Sequence, residues 1–421
     1  MHIRTIIRGI LFLCVSAQLT VTASPLRSLK ELYDDKQYFE LRDALKDPHS
    51  EASADLFFYR GTVGNKFNQL QSSITYFKEY LKRATEDKDS ELLVECYEML
   101  ADDYLKTYQY QKAAEAYTVL LTKFAHNIDT ERKSDFENSV RLCVALSKVP
   151  RETVIFHGGS VVKKDQRGYI PLEINNQKVS LTFDTGANLS VITSSFAEKL
   201  ALKIINASID VVAVAGNKVK ARLAVARKIR IGNAIIRNVV FLVFDDKDLY
   251  ISEADFQING LVGFPVIEAL REITFVRDGN IYIPNAPSKG GEQNMCSDGL
   301  SLLIAGWFKD KRLIFALDTG ASRSTLYPPF YQEYEDMIKT EYEKYNERVR
   351  GVGGYKEIKG YLAKNIVMKF SGRAARFAQI PILTERTTDI SRHFYGNLGQ
   401  DLIKQFEKMT LNFEAMSIVF E

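Results

Sequence analysis

Hydrophobic and polar residues follow two different periods along this chain of 421 residues. From about Leu26 to Val149 the apolar residues recur at the spacing of amphipathic helices, and glycine is absent between Gly64 and Pro150. After Pro150 the pattern changes to short runs of Val, Ile and Leu with a period of two, separated by Gly and Asn, which is typical of strands. We therefore predict an all-α region followed by an all-β region, with a boundary near residue 151.

The predicted helices contain an internal repeat of about 40 residues. Gly61 and Ser73 in one unit correspond to Ala101 and Ala113 in the next, where small residues allow two antiparallel helices to cross closely. On this pattern residues 24–150 resemble a tetratricopeptide array. A generic helical bundle explains the same pattern and stays open as the alternative. In both cases the region offers a surface for a protein partner and no catalytic group.

The predicted strands contain the motif Asp-Thr-Gly-Ala twice, 134 residues apart, each time after an apolar strand. The two copies are Asp184-Thr185-Gly186-Ala187 and Asp318-Thr319-Gly320-Ala321. Each copy is followed by a glycine hairpin and then by a segment that ends in an apolar residue and glycine, Gly260–Gly263 and Gly396–Gly399. A single motif would indicate a turn, but agreement over this length predicts a duplicated unit with copies at 151–290 and 291–421.

The first residues have the order of a secretory signal peptide, with basic residues, an apolar run over Ile10–Ala17 and the small-residue end Val21-Thr22-Ala23. We expect residues 1–23 to be removed and the chain to be periplasmic, extracellular or attached to the cell surface. A membrane anchor and a lipid on Cys14 remain the alternatives, although the apolar run is about half the length that a membrane span needs. No later stretch is predicted to cross a membrane, and the three remaining cysteines are no disulfide framework.

Composition and charge exclude several classes of protein. Hydrophobic residues make up 46% of the chain and charged residues 26%, which is enough apolar material for several folded cores. A net charge of +3 gives no field that would favour nucleic acid as a partner. No Walker loop, zinc-ligand spacing or dinucleotide-binding glycine pattern is present, so we expect neither a metal nor a cofactor.

Two carboxyl groups that a duplication brings together can hydrolyse an amide. Water must lose a proton to a base while the leaving nitrogen gains one from an acid. Two carboxyls at hydrogen-bonding distance share one proton, because like charges cannot both ionise readily, and the pair therefore supplies both groups. Asp184 and Asp318 are the candidates for this catalytic pair.

On these motifs, residues 152–421 resemble an aspartic protease of the retropepsin and pepsin type, with two lobes in one chain. The resemblance implies an aspartic endopeptidase whose catalytic dyad is Asp184 and Asp318 and whose substrate is an extended polypeptide. The residues implied to support the two active-site turns are Thr185, Gly186, Thr319 and Gly320. The threonine hydroxyls are expected to hydrogen-bond across the lobes, and the glycines to let the turns approach each other.

The glycine hairpins are predicted to act as flaps over the cleft, because hairpin amides can pair with an extended peptide and exclude water. The flap residues predicted to contact substrate are Val214, Ala215, Gly216 and Asn217 in the first lobe, and Val352, Gly353 and Gly354 in the second.

The two copies differ from the family pattern or from each other at three places. Alanine follows the glycine of both turns, so the ionised carboxylate has one hydroxyl donor fewer and we expect a less acidic pH optimum than in pepsin-like enzymes that carry the hydroxyl. Phe264-Pro265 in the first lobe stands where the second has Gln400-Asp401. Residues 331–350 are predicted to form a charged surface helix that the first lobe lacks.

The sequence therefore predicts an exported aspartic endopeptidase whose helical domain recruits a partner or substrate. One alternative is a binding protein with an inactive protease fold, and another is a scaffold whose protease half processes only its own chain. The presence of both aspartates and both glycine hairpins favours the enzyme, because an inactive lobe has no chemical need for them.

Overall fold

The computed structural model describes residues 27–46, 53–212, 218–252, 255–351, 354–386 and 390–421. Within these ranges a helical region is followed by a β-rich region, as the two periods of the sequence predict. The predicted signal peptide, residues 1–23, lies outside the described residues.

The helical region consists of seven described helices. They are α1 (Leu29–Asp34), α2 (Tyr38–Ala44), α3 (Ala54–Lys66), α4 (Leu70–Leu81), α5 (Glu86–Lys106), α6 (Tyr110–Lys123) and α7 (Thr130–Leu146). Helices α3 and α4 approach so closely that a Cβ atom on Gly61 would lie 2.6 Å from the ring of Phe77. Gly61 thus lies where α3 and α4 cross, while the tetratricopeptide assignment stays a prediction.

The first half of the β-rich region begins at Thr153, seven positions after α7 ends. Its elements are β1 (Thr153–Phe156), β2 (Ser160–Lys163), β3 (Ile170–Ile174), β4 (Gln177–Phe183), β5 (Ser190–Thr193), α8 (Ser194–Lys199), β6 (Lys203–Val212), β7 (Lys218–Ile231), β8 (Ala234–Phe244), a 3-10 turn (Asp246–Leu249), β9 (Tyr250–Ile251), β10 (Phe256–Gln257), β11 (Gly260–Val262), α9 (Phe264–Ala269), β12 (Glu272–Val276) and β13 (Asn280–Ile283). Eight strands form a sheet in the order β1-β8-β5-β11-β4-β3-β7-β6, and an additional pairing of β7 with β8 curls it.

The second half repeats the central elements of the first in the same order. They are β14 (Met295–Asp298), β15 (Ser301–Phe308), β16 (Lys311–Leu317), β17 (Thr325–Leu326), α10 (Pro328–Glu333), α11 (Glu335–Glu341), β18 (Glu343–Gly351), β19 (Gly354–Phe370), β20 (Arg373–Leu383), α12 (Ile390–His393), β21 (Gly396–Leu398), α13 (Gln400–Ile403), β22 (Lys408–Asn412) and β23 (Ser417–Phe420). The sheet order is β14-β15-β16-β21-β17-β20-β19-β18, with an additional pairing of β15 with β19. We call the two halves lobe 1 (residues 153–283) and lobe 2 (residues 295–421).

The two lobes place their Asp-Thr-Gly turns in the same way. In lobe 1, β11 runs parallel to β4 and antiparallel to β5. In lobe 2, β21 runs parallel to β16 and antiparallel to β17. Each Asp-Thr-Gly turn therefore follows a central strand, β4 or β16, at the end that lies beside its parallel neighbour, β11 or β21. From this position the side chains of the turn can face the other lobe.

A five-stranded sheet in the order β2-β13-β12-β22-β23 joins the lobes. Its centre is the antiparallel pair β12 and β22, in which Thr274 lies opposite Thr410. The hydroxyl oxygens of these two residues, 136 positions apart in the sequence, are 2.8 Å apart. Residues at equivalent positions of the two halves thus face each other at the centre of this sheet.

The helical region packs against both lobes. Tyr38, Phe39 and Phe67 belong to the same buried core as the strands of the two lobes. At lobe 2 the ammonium group of Lys66 lies 2.5 Å from the Asp298 carboxylate. Burial acts to raise the pKa of Asp298, but Lys66 outweighs it and the pKa falls to about 2. The helices are therefore a fixed part of the molecule on this side.

The predicted charged helix over 331–350 is wrong in its second half. The helical part ends with α11 at Glu341, and Glu343–Gly351 is strand β18, paired with β19. In addition α10 is the counterpart of α8 in lobe 1, so within the predicted helix α11 is the part that lobe 1 lacks. Glu343, Lys344 and Asn346 of β18 are exposed, and such a polar composition imitates that of a solvated helix.

Three cysteines lie in the described ranges, and Cys96, Cys143 and Cys296 are all buried and unpaired. A search of the described helices finds none that is long and apolar enough to span a bilayer.

Candidate active site

The two Asp-Thr-Gly turns meet between the lobes. Each turn is held by the strand beside it, because the Asp184 N–H donates to the Val262 carbonyl and the Asp318 N–H donates to the Leu398 carbonyl, both at 2.9 Å. The structure thus brings together the two aspartates that the sequence singled out, although 134 positions separate them.

The glycine of each turn makes room for the carboxyl group of the other turn. A Cβ atom on Gly186 would lie 2.6 Å from Cγ of Asp318, and a Cβ atom on Gly320 would lie 2.5 Å from Cγ of Asp184. Real Cβ atoms do not approach a carboxyl carbon so closely. Glycine is therefore required at both positions for the carboxyls to face each other.

The threonines of the two turns lock the lobes together through buried hydrogen bonds. The Thr185 hydroxyl donates to the Leu317 carbonyl at 2.7 Å and accepts from the Thr319 N–H at 3.0 Å. The Thr319 hydroxyl donates to the Phe183 carbonyl at 3.0 Å and accepts from the Thr185 N–H at 3.1 Å. Because each hydroxyl both donates and accepts across the interface, the turns have one relative position.

Backbone amides of the turns point at the carboxyl groups. The Gly186 N–H donates to Oδ1 of Asp184 at 2.9 Å, and the N–H groups of Gly320 and Ala321 donate to Oδ1 of Asp318, both at 2.9 Å. Burial and the neighbouring charge of Asp318 raise the pKa of Asp184 to about 7. At neutral pH the pair thus holds a proton that an isolated aspartate would have lost.

Sequence reasoning missed one residue at this site, Asn397 on β21. Its side-chain amide Nδ2 donates to Oδ2 of Asp318 at 3.0 Å. The signal was present in the alignment of the two copies, since Asn397 stands where lobe 1 has Leu261. A polar residue that replaces an apolar one in a duplicated central strand is a candidate for contact with the active-site turn.

Beneath the turns a serine in each lobe secures the apolar-glycine segment. The Gly263 N–H donates to the Ser190 hydroxyl and the Gly399 N–H donates to the Ser324 hydroxyl, both at 3.0 Å. In lobe 2 this serine is itself held by Asp401, whose Oδ1 accepts from the Ser324 hydroxyl at 2.6 Å.

Lobe 1 has no such carboxylate, because Pro265 occupies the position of Asp401. Its neighbour Phe264 is buried against Phe413, with the rings edge to face at 5.9 Å. The corresponding residue of lobe 2, Gln400, instead donates through its side-chain amide to the Thr319 carbonyl at 2.6 Å. The same backbone is thus held by apolar packing in lobe 1 and by polar contacts in lobe 2.

The predicted flap residues belong to the β6–β7 and β18–β19 hairpins. Most of them lie outside the described residues, namely Val214, Ala215, Gly216, Asn217, Val352 and Gly353. Gly354 is described, and it pairs with Gly351 at the end of the second hairpin.

The first hairpin is tied to helix α7. The Asn138 side chain donates to the Asp210 carbonyl at 2.8 Å and accepts from the Asp210 N–H at 2.9 Å, as a neighbouring strand would. Arg141 forms an ion pair with the Asp210 carboxylate at 2.8 Å, and Lys218 donates to the Ser134 hydroxyl at 2.8 Å. Both ends of the predicted flap of lobe 1 are therefore held by the helical region.

A metal centre would need several ligating side chains close together. In the parts of the chain that the structure describes, no group of three or more His, Cys, Asp or Glu side chains could hold a metal ion.

One family model of known proteins matches part of the chain. Residues 170–266 match the family model described as "Aspartyl protease". This range contains Asp184 and ends before Asp318. The chain thus contains an aspartyl protease-like domain, whereas no curated protein matches it.

Two of the solved structures that match the chain are as follows. A retropepsin-like aspartic protease from Rickettsia conorii is 19% identical in sequence, and its TM-score is 0.22. The aligned region spans 32% of this chain and 94% of the Rickettsia protein. Basic 7S globulin from soybean is 9% identical in sequence, and its TM-score is 0.38. The aligned region spans 64% of this chain and 95% of the soybean protein.

Proposed function

We propose that the protein is an aspartic endopeptidase and that Asp184 and Asp318 are its catalytic dyad. One observation carries the proposal: each carboxyl group occupies the space that the glycine of the opposite turn leaves open. Four buried hydrogen bonds of Thr185 and Thr319 maintain this arrangement. A pair held so rigidly between two lobes is suited to sharing one proton.

The reaction requires only the dyad and water. One carboxylate accepts a proton from water as the water oxygen bonds to the carbonyl carbon of the peptide, and the other carboxyl gives its proton to the carbonyl oxygen. The resulting tetrahedral diol collapses when the newly protonated carboxyl gives its proton to the nitrogen. The C–N bond then breaks, a hydroxyl proton returns to the other carboxyl, and the dyad regains its starting state.

An extended polypeptide is the substrate that fits this site. The β6–β7 and β18–β19 hairpins each carry one predicted flap, and their backbone groups can pair with a peptide in an extended conformation. We propose that the flap residues close over the substrate and exclude water from the dyad.

The helical region has two roles in this proposal. It recruits a protein partner or substrate through a tetratricopeptide-like surface, and it braces the first hairpin through Asn138 and Arg141 on α7. We further propose that cleavage after Ala23 releases an exported enzyme, which the N-terminal sequence of the mature protein will test.

The experiment is to incubate the full chain with an unstructured protein between pH 3 and 8, with and without a statine-type inhibitor. Asp184→Asn serves as the control, because it removes one carboxyl of the pair and keeps the size of the side chain. Cleavage that the inhibitor blocks and the control lacks supports the enzyme. If the folded protein cleaves nothing over this range, the proposal fails, and the alternative of an inactive protease fold with a binding role is favoured.

A further inference from the structure

The two carboxyl groups of the dyad have different neighbours. Asn397 donates a side-chain hydrogen bond to Oδ2 of Asp318 at 3.0 Å. The equivalent residue beside Asp184 is Leu261, which packs among apolar residues and has no polar atom in its side chain. The two strands that carry these residues, β21 and β11, are otherwise placed alike in their sheets. The difference is therefore one of side chains and not of backbone.

Asn397 is well placed to hold one orientation. It sits in the middle of β21, opposite Ala316 of the parallel strand β16 and Thr325 of the antiparallel strand β17. Backbone pairing on both sides fixes where the amide begins, so little conformational entropy opposes its contact with Asp318.

The donors around Asp318 cover both of its oxygens. Oδ1 accepts from the N–H groups of Gly320 and Ala321, while Oδ2 accepts from Asn397. Hydrogen bonds that donate to a carboxylate favour its ionised form. Asn397 thus provides for lobe 2 a side-chain donor of the kind that Ala321 cannot provide.

Asp184 has the opposite surroundings. Its donors are amides of its own turn, with Gly186 at 2.9 Å, and the described residues offer it no side-chain donor comparable to Asn397. Burial and the charge of Asp318 both raise the pKa of Asp184, to about 7. The side-chain donor at Asp318 therefore favours Asp318 as the ionised carboxyl of the pair and Asp184 as the neutral one.

We infer that Asn397 is a positioning residue that keeps Asp318 ionised and so places the shared proton on Asp184. This inference rests on the proposed function. Asp318 is then the base that accepts the proton of the attacking water, and Asp184 is the acid that protonates the carbonyl oxygen of the peptide. The side-chain amide of Asn397 makes the two carboxyl groups unlike, and the dyad starts each turnover from one defined state.

The consequence for titration is specific. The pair loses its first proton when Asp318 ionises, and Asn397 stabilises the product of that step. The second proton leaves Asp184, and the contact of Asn397 with Asp318 is present before and after that step. Removing the amide therefore raises the first apparent pKa of the pair and leaves the second in place.

The test is the pH profile of kcat/KM for the full chain and for Asn397→Leu, which gives lobe 2 the residue of lobe 1. We expect the acidic limb of the profile to move up by about one pH unit, while the alkaline limb stays within experimental error. The double variant Leu261→Asn with Asn397→Leu moves the donor to Asp184, and its acidic limb should return toward that of the original protein. A uniform loss of activity at every pH would mean that Asn397 only supports the fold, and would overturn the inference.

A second measurement does not depend on turnover. In the full chain labelled with carboxyl-¹³C aspartate, the signals of Asp184 and Asp318 are assigned by the variants that lack each residue. The Asp318 signal should follow the first ionisation of the pair and the Asp184 signal the second. If this order is seen without cleavage of any substrate, the proposed function fails and the proton placement stands. The reverse order, with or without cleavage, overturns the inference.

Discussion

Around their Asp-Thr-Gly turns, lobe 1 and lobe 2 share a strand arrangement and differ in the polar side chains that surround it. Both have the same strand order around their turns, the same pair of threonine hydrogen bonds, and a serine under the apolar-glycine segment. Lobe 2 adds Asn397, Gln400 and Asp401, where lobe 1 has Leu261, Phe264 and Pro265. A duplicated backbone brings two carboxyls together, but a dyad with one proton needs them to be unlike, and the side chains supply that difference.

The predicted flaps of the lobes are also supported by different elements. The β6–β7 hairpin is tied to α7 of the helical region through Asn138 and Arg141. The β18–β19 hairpin is braced within its own lobe, where Tyr331 of α10 stacks on Tyr361 of β19 with ring centroids 5.7 Å apart. The helical region therefore contacts the first hairpin directly, whereas the stacking contact of the second hairpin lies within lobe 2.

The largest expected effect is on kcat, when either of the two aspartates that the lobes contribute is replaced. Asp184→Asn and Asp318→Asn should each lower kcat by about 10⁴-fold, because the two carboxyls act as one unit. Circular dichroism of both variants should match that of the original protein. Near-normal turnover in either variant would show that the lobes do not contribute equally to a dyad.

The threonine lock should be equally important on both sides. Thr185→Val and Thr319→Val each leave a buried N–H and a buried carbonyl without a partner, and each should lower the free energy of unfolding by about 2–4 kcal/mol. Urea unfolding of the two variants measures this. A loss in one variant only would mean that the cross-lobe bonds are unequal despite their similar lengths.

Activity should fall on the alkaline side because the proton of Asp184 is lost. Its pKa is raised to about 7, so the protonated acid disappears as the pH rises through that value, and kcat/KM should drop roughly tenfold per unit above it. By pH 9 the loss is about 100-fold, which a pH profile in a constant-ionic-strength buffer will measure. A plateau that extends beyond pH 9 would contradict the assignment of the acid.

The same raised pKa has a consequence for stability. A carboxyl whose folded-state pKa lies above its unfolded value of 3.8 stabilises the folded chain below that value, and this contribution is lost as the pH rises toward about 7. The Asp184→Asn variant has no carboxyl that titrates at this position. Its free energy of unfolding, compared with that of the original protein, should therefore rise between pH 4 and 7.

Replacing Asp401 in lobe 2 should destabilise the folded protein more than replacing Pro265, the residue at the matching position of lobe 1. Asp401 accepts from the Ser324 N–H at 2.8 Å and from the Leu402 N–H at 3.0 Å, in addition to the serine hydroxyl. Asp401→Ala should therefore cost about 1–3 kcal/mol of folding free energy. Pro265→Ala, at the matching position of lobe 1, is the control and should cost less than about 1 kcal/mol. Equal costs would mean that the difference between the lobes is not energetic.

The smallest effect concerns the bracing of the first hairpin. Asn138→Ala removes two hydrogen bonds to Asp210, so amides of β6 and β7 should exchange with deuterium about fivefold faster. The amides of β18 and β19 are the internal control and should exchange at unchanged rates. Faster exchange in both hairpins, or in neither, would mean that α7 does not hold the first flap selectively.

Much of the site could be predicted from the chain alone. Two periods of hydrophobicity separate the helical region from the strands, and the repeated Asp-Thr-Gly motif singles out Asp184 and Asp318, because both signals are carried by residues close together in the sequence. The charged residues over 331–350 led to a wrong prediction of helix in their second half, because that prediction also used only residues close together in the sequence. Strand β18 is held by pairing with β19, and a local composition cannot distinguish such a polar strand from a solvated helix.

The contacts that make the two lobes unlike required the folded chain. Asn397 meets Asp318 only because β21 lies beside β16, and Asn138 meets Asp210 only because α7 packs on β6. Both contacts join residues more than 70 positions apart, and such pairs leave no periodic mark in a single sequence. Short-range patterns thus specify which elements form and where the carboxyls occur, whereas long-range packing decides which carboxyl receives the extra donor and which flap the helices hold.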